Sequence, residues 1–383
     1  MQVVTFLLYI TAALLLVYLV IINLYLFWFS KLSRFQIQPG YHPLTRFSII
    51  IPARDEEDSI AACLQSIVNT TYPAQLYEII VVDDFSSDAT PAIVEKFQKE
   101  FPNIQLISLK NSITENINSY KKRAIEVAIG KSKFEWIITT DADCQVQVEW
   151  LSLYDAYIQT QQPVFVAAPV RFNNTGSFSS IFQCLDFVSL QGITAASVSA
   201  GFHSMCNGAN LAYNKKTFYD VDGFKNADHI ASGDDMLLMH KIKTKYPSSI
   251  GYLFNSDAIV TTEPMPDWKS FFNQRIRWAS KATSYKDANV FIVLLLVYMT
   301  NLCLFVLFVL SFFYPKLFPF LLMFVLTKSL FELPFMYKVA GFFSMQRLMP
   351  WFVLMQPFHI TYTVISGWLG KFGTYRWKGR KVK

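Results

Sequence analysis

The chain has 383 residues, 52% of them hydrophobic and 16% aromatic, with 34 basic against 28 acidic side chains and a formal net charge of +6. Such apolarity excludes an ordinary soluble enzyme, and five unpaired-looking cysteines (Cys63, Cys144, Cys184, Cys206, Cys303) exclude a disulfide framework or zinc site. The basic excess resides in the C-terminal tail and not in a groove-forming segment, so no nucleic-acid partner is expected.

Val3 to Phe29 carries no charge and is followed by Lys31, Arg34 and Arg46. It reads as an anchor and not as a cleaved signal, with residues 1–30 forming an N-terminal transmembrane helix. The cations after it place the next domain on the cytoplasmic side by the positive-inside rule.

Residues 46–265 carry evenly spread charge and enough length for one large core. Phe47 to Ile51 reads as a buried strand ended by Pro52, and the next helix starts near Asp58 or Ser59. Glu78 to Val82 reads as a second strand that stops at Asp83 and Asp84. Ile104 to Leu109 and Glu135 to Thr140 supply two more, the latter stopping at Asp141 and Asp143. The alternation predicts an α/β fold with a mixed, mostly parallel sheet. Ligands collect at the carboxyl ends of such strands, so the four acids are expected along one edge.

Asp141 and Asp143 are two residues apart and can direct hard oxygen donors at one Mg²⁺ or Mn²⁺. Taken alone, two acids after a strand more often form a solvated turn, and Asp83 and Asp84 read equally well as turn caps or as acceptors for the ring N–H of uracil. Lys121 and Lys122 read as solvated charges, either of them able to reach phosphate or base oxygens. Gly233-Asp234-Asp235 opens a helix, as an N-cap or as a general base aimed by a short stem.

Residues 266–286 form an expected interfacial amphipathic helix bearing Gln274-Arg275-Ile276-Arg277-Trp278. Gln274, Arg277 and Trp278 fall on one helical face with Phe271, directed at the mouth of a site; a membrane-surface helix explains the same pattern. Residues 288–370 form a C-terminal membrane region. Ala288 to Pro315 and Leu317 to Tyr337 cross, with Lys328 and Glu332 one turn apart and able to pair, and Leu348 to Gly370 spans or re-enters. Re-entry is favoured, because it keeps tail 371–383, with six cations and no acid, beside anionic lipid on the cytoplasmic face. His203 and His229 have no partner at telling spacing and are left without a role.

In this order the motifs resemble family 2 glycosyltransferases, specifically the membrane-bound branch with cellulose, chitin, hyaluronan and poly-N-acetylglucosamine synthases and ceramide glucosyltransferase. The resemblance spans Phe47 to Trp278. It implies a nucleotide-sugar-binding domain of GT-A type, a divalent metal and direct displacement with inversion. Carried over by position, it implies Asp235 as general base with Asp234 as the fallback, Asp143 and Asp141 as metal ligands, and Trp278 with Asn207, Gly208 and Ala209 on the acceptor side. Pro52, Arg54, Glu57, Asp83, Asp84, Lys121, Asp141, Gln274, Arg275 and Arg277 fall to the donor. Asp55 stands where the family usually has Asn.

The expected protein is therefore an enzyme of a membrane, the bacterial inner membrane, that moves sugar from a UDP-sugar to a lipid-linked or membrane-associated glycan acceptor. The alternatives are the catalytic subunit of a processive polysaccharide synthase, with partner subunits completing an export pore, and a catalytically silent sugar-nucleotide-binding scaffold.

Overall fold

The computed structural model describes residues 2–111, 119–225, 233–281, 287–373, 375–377 and 380–382. A helix α1 (Gln2–Ser30) precedes an α/β domain. Its strands are β1 (Phe47–Ala53), β2 (Tyr77–Asp83), β3 (Ile104–Ser108), β4 (Trp136–Thr139), β5 (Phe165–Ala167), β6 (Val170–Phe172), β7 (Leu211–Asn214), β8 (Ile250–Tyr252) and β9 (Val260–Thr262). Seven of them form one sheet in the order β3-β2-β1-β4-β7-β5-β8, in which only β7 runs antiparallel to its neighbours; β6 and β9 pair separately. This is the mixed, mostly parallel sheet expected.

Helices α2 (Ile60–Val68), α3 (Thr90–Glu100), α4 (Tyr120–Lys131) and α5 (Trp150–Gln161) alternate with the strands. They are followed by α6 (Phe178–Ser199), α7 (Lys215–Asp220), α8 (Asp234–Lys245) and α9 (Trp268–Ala279). Every residue of β2 is buried, as the unbroken apolar run of a covered parallel strand requires.

Pro52 does not end β1. Asp84 N–H donates to Ala53 O and Thr140 N–H to Ile50 O, so the even-numbered positions of β1 turn toward β4 and the odd ones toward β2. Pairing with β4 stops at Ile50 opposite Thr139. The missing N–H of Pro52 therefore falls where no ladder bond is required.

The C-terminal region holds α10 (Ala288–Ser311), α11 (Phe318–Phe342), α12 (Pro350–Leu354) and α13 (Gln356–Phe372). Four helices are long and apolar enough to cross a membrane: α1, α6, α10 and the segment 315–342 containing α11. Within its most apolar window α6 is 83% buried by the protein itself, against 33% or less for the other three, so α6 is an internal strut. The stretch 348–370 is broken at Met355 and Gln356, and α13 has 17 residues, short of the ~20 that span hydrocarbon. The tail contributes an antiparallel pair, β10 (Tyr375–Trp377) and β11 (Arg380–Val382), with β10 alongside α9.

Lys328 and Glu332 do pair, at 2.7 Å, and the pair is part of a larger buried network. Gln356 accepts from Lys328 at 2.9 Å and donates to Glu332 at 2.8 Å, while Tyr18 also donates to Glu332. The network joins α1, α11 and α13 and gives each buried charge a partner.

Candidate active site

Two loops at the carboxyl end of the sheet are clipped together by Asp55. Its φ of +49° lies in the left-handed region that Asp and Asn tolerate better than most residues. Its carboxylate accepts from Ser87 N–H at 2.7 Å and from the Ser87 hydroxyl at 3.1 Å; those bonds, Ser87 N–H first, hold its pKa below the usual carboxylate value. Asp83 is buried and accepts from Ser86 N–H at 3.1 Å, while Arg54 donates to Asp84 O at 2.9 Å. Glu57 is elsewhere: its carboxylate accepts from Ala89 N–H at the head of α3.

Because β2 and β4 flank β1, the Asp83-Asp84 and Asp141-Asp143 ends lie about 10 Å apart, two strand spacings. Lys121, on α4, places its ammonium 2.6 Å from Asp141 and 3.9 Å from Asp234. Burial opposes that charge, but Asp141, Asp234 and Asp235 outweigh it and raise the amine's pKa. The reading of both lysines as solvated fails for Lys122, which is 2% exposed on the inner face of α4.

The acceptor-side loop closes the group. Thr139 donates to Gly208 O at 2.9 Å, and Gly208 N–H donates to Asp235 Oδ2 at 3.0 Å. A Cβ at position 208 would lie 3.5 Å from Asp234 Oδ2 and 3.6 Å from Lys121 Nζ, so the loop backbone touches the acids and the lysine together. Asn207 turns inward to accept from Ala209 N–H. Gly233 supplies the left-handed turn, φ +83°, that starts α8. Burial, and then the charge of Asp234, push the Asp235 carboxyl above the usual range.

Asp141, Asp143 and Cys144 can bring one ligand atom each within 4.8 Å of one another. Of these, the carboxylates of Asp141 and Asp143 are the hard oxygen donors that fit Mg²⁺ or Mn²⁺, whereas the soft sulfur of Cys144 does not suit such ions. Asp143 is exposed, while Asp141 already holds Lys121.

Helix α9 divides its motif between two faces. Arg275 is 4% exposed and donates to Asp186 of α6 through Nε at 3.0 Å and Nη2 at 2.6 Å. Its guanidinium lies over Trp278, 4.2 Å from the ring centroid, and over Phe271 at 4.7 Å, while Gln274 accepts from its Nη1 at 2.7 Å. Arg275 is thus a buried brace and not a donor contact, and Trp278 shares its face with Arg275 instead of with Arg277. Arg277 is close enough to Lys281 for its charge to lower the pKa of that amine.

Lys281 and Asp186 were missed by sequence reasoning. Lys281 is buried just beyond α9, and its Cδ lies 3.0 Å from where a Cβ on Gly233 would be. Burial first, then Arg277, lower its pKa to about 8 against the pull of Asp235 and Asp234. It stands one helical turn after Arg277, the only sequence signal available. For Asp186 the signal is a lone acid inside the apolar run of α6. His203 is buried and bonded to Tyr25 of α1 at 2.9 Å, a structural tie; His229 lies outside the described residues.

Comparison with known proteins gives the family and the fold. Residues 48–216 match the family model for glycosyl transferase family 2, and residues 136–368 match that for glycosyl transferase family group 2. Glycosyltransferase AglE of Haloferax volcanii is 26% identical over 212 residues, 55% of this chain and 65% of that protein. The poly-beta-1,6-N-acetyl-D-glucosamine synthase of Staphylococcus epidermidis is 23% identical over 251 residues, 63% of this chain and 56% of the synthase. The chain spans between 21% and 65% of the length of the first curated relatives it matches. Among solved structures, the mannosyltransferase PcManGT from Pyrobaculum calidifontis, in complex with GDP-Man and Mn²⁺, superposes with a TM-score of 0.58 at 19% identity, covering 94% of this chain and 99% of that one. The fold is shared with that enzyme, and by its sequence the chain belongs to glycosyl transferase family group 2.

Proposed function

We propose that this protein is a membrane-bound inverting glycosyltransferase that moves a sugar from a UDP-sugar to a hydroxyl of a lipid-linked or membrane-associated glycan acceptor. The observation that carries the reading is the half-buried Asp235 carboxylate, raised in proton affinity and bonded to the backbone of Gly208 on the acceptor-side loop. The apolar helices α1, α10 and α11 support the membrane location, and the cations after α1 support a cytoplasmic site.

In this mechanism Asp235 takes the acceptor hydroxyl proton as that oxygen attacks the anomeric carbon, and the bond to the diphosphate breaks with its electron pair leaving on UDP. Attack opposite the leaving group inverts the centre. Asp83 and Asp84 hold the uracil, and Lys121 and Arg277 place positive charge where negative charge grows. A divalent ion held by Asp141 and Asp143 supplies Lewis acidity to the diphosphate when bound. Asp234 keeps the proton affinity of Asp235 high by its charge.

The test is nucleoside-diphosphate release by the full chain in detergent, UDP from a panel of UDP-sugars and GDP from GDP-mannose, the latter included because PcManGT binds GDP-Man. Turnover with one UDP-sugar, lost in Asp235→Asn with donor binding retained, is the expected result. Turnover with GDP-mannose alone overturns the uridine assignment, and undiminished turnover by the variant overturns the base.

A further inference from the structure

A cavity of about 560 Å³ lies between α1, α6, α9, α10, α11 and α13, within the ~300–1,000 Å³ usual for ligand sites. Its lining includes Met205, Trp278 and Ser280. Met205 stands three residues before Gly208, whose N–H holds Asp235, and Ser280 is next to Lys281. The lining also includes Leu294 and Leu295 of α10 and Trp368 and Phe372 of α13, each more than a third exposed, and Gly370 between the last two packs against Ala279 and Ser280. The cavity therefore borders both the segments that carry Gly208 and Lys281 and an exposed apolar flank of α10 and α13.

Its wall decides what it can hold. Most of the lining is aliphatic or aromatic, and most of the buried polar groups that reach it are engaged, Ser366 Oγ and His359 Nδ1 excepted among the described residues. Asp186 is taken by Arg275 and Tyr362, and Glu332 and Gln356 are taken by Lys328, Tyr18 and each other. A glycan would need partners for several hydroxyls on every sugar, and this wall has few left to offer. A hydrocarbon chain needs none. His359 Nδ1, without a hydrogen-bond partner among the described residues, lies beside the Asp186 cluster, on the side where an amphiphile's polar end would sit.

We propose that this cavity seats the hydrocarbon chain of a lipid acceptor, entering between α10 and α13 and presenting its polar end past Trp278 and Met205 to Asp235. The inference deepens the transferase reading and rests on it for the identity of the acceptor. It commits the site to an amphiphile in place of a growing polysaccharide.

The full chain in lipid nanodiscs can be irradiated with a hexadecyl glucoside carrying a mid-chain diazirine and the labelled peptides mapped by mass spectrometry. Label on the α6 and α10 residues Ile193 and Leu294, competed by unlabelled hexadecyl glucoside and weakly by octyl glucoside, is the expected result. Label confined to the outward residues Phe308, Leu330 and Phe331 overturns the proposal. In parallel, Ser189→Trp places an indole in the cavity and is expected to raise KM for hexadecyl glucoside about tenfold or more, with the donor KM unchanged. A folded Ser189→Trp protein, judged by its melting temperature, that keeps the wild-type KM also overturns it. Because labelling needs no turnover, competed cavity label in a preparation that releases nucleotide from no donor upholds the seat and overturns the transferase reading instead.

Discussion

Gly208 donates its backbone N–H to the carboxylate of Asp235 at 3.0 Å across 27 positions of sequence, so the acceptor-side loop and the first turn of α8 form one unit. The two carboxylate oxygens of Asp235 are held by two backbone donors, Gly208 N–H on Oδ2 and Met236 N–H on Oδ1, which fixes the orientation of the group proposed as the base.

Replacing that base separates chemistry from binding. Asp235→Asn preserves the shape and the Gly208 contact while removing the proton acceptor, and general-base removal costs ~10²- to 10⁴-fold in rate. The expected outcome is a kcat lowered by that amount with donor affinity, measured by calorimetry, unchanged. A variant within a few-fold of wild type moves the role to Asp234.

The pH profile carries a signature of the same site. Asp235 must be ionised to act, and burial and Asp234 raise its pKa, so the acid limb of kcat/KM falls above the ordinary ~3.9 of Asp. Asp234→Asn removes the second of those causes and moves the limb down; Lys281→Met removes an opposing cation and moves it up. Limbs that coincide in all three proteins exclude Asp235 as the titrating group.

Lys281 also makes stability depend on pH. Its folded pKa of about 8 is below that of an unfolded lysine, ~10.4, so its burial cost is fully present below pH 8 and is relieved as pH rises through that window. Melting of the wild type is expected to gain up to ~3 kcal/mol between those values, and Lys281→Met to lose that slope while being more stable near pH 7. Parallel curves for the two proteins refute the assignment.

The two arginines of α9 should separate. Arg275→Met strands Asp186 inside the protein and costs ~3–5 kcal/mol of stability; the double variant Arg275→Met, Asp186→Leu recovers much of it. Arg277→Gln is expected to leave the melting temperature in place and lower kcat. The reverse pattern, with Arg275→Met folded and only inactive, would return Arg275 to the donor.

Chelation tests the metal. EDTA is expected to abolish transfer and Mn²⁺ or Mg²⁺ to restore it, with Asp143→Asn needing an order of magnitude more metal because Asp141 shares its charge with Lys121. Full activity in EDTA eliminates the ion from the mechanism.

What the sequence determined on its own is local and periodic. Apolar runs ending at Asp83-Asp84 and Asp141-Asp143 announced parallel strands with acids at one edge, because strand burial and alternation are written over a few residues. The one-turn spacing of Lys328 and Glu332 announced their pairing for the same reason, since helix geometry alone brings i and i+4 together. Only the tertiary structure decided which charge meets which across the chain. Arg275 and Asp186 are 89 positions apart, and nothing periodic connects them. Helical spacing put Arg277 and Trp278 on one face, but packing drew the Trp278 ring against Arg275 and Phe187 of α6. Pro52 could remain in β1 because its neighbour β4 stops early, and Lys281 became a buried amine because α8 starts against it. Desolvation and long-range pairing belong to the assembled fold, where the low-dielectric interior and the partners first exist.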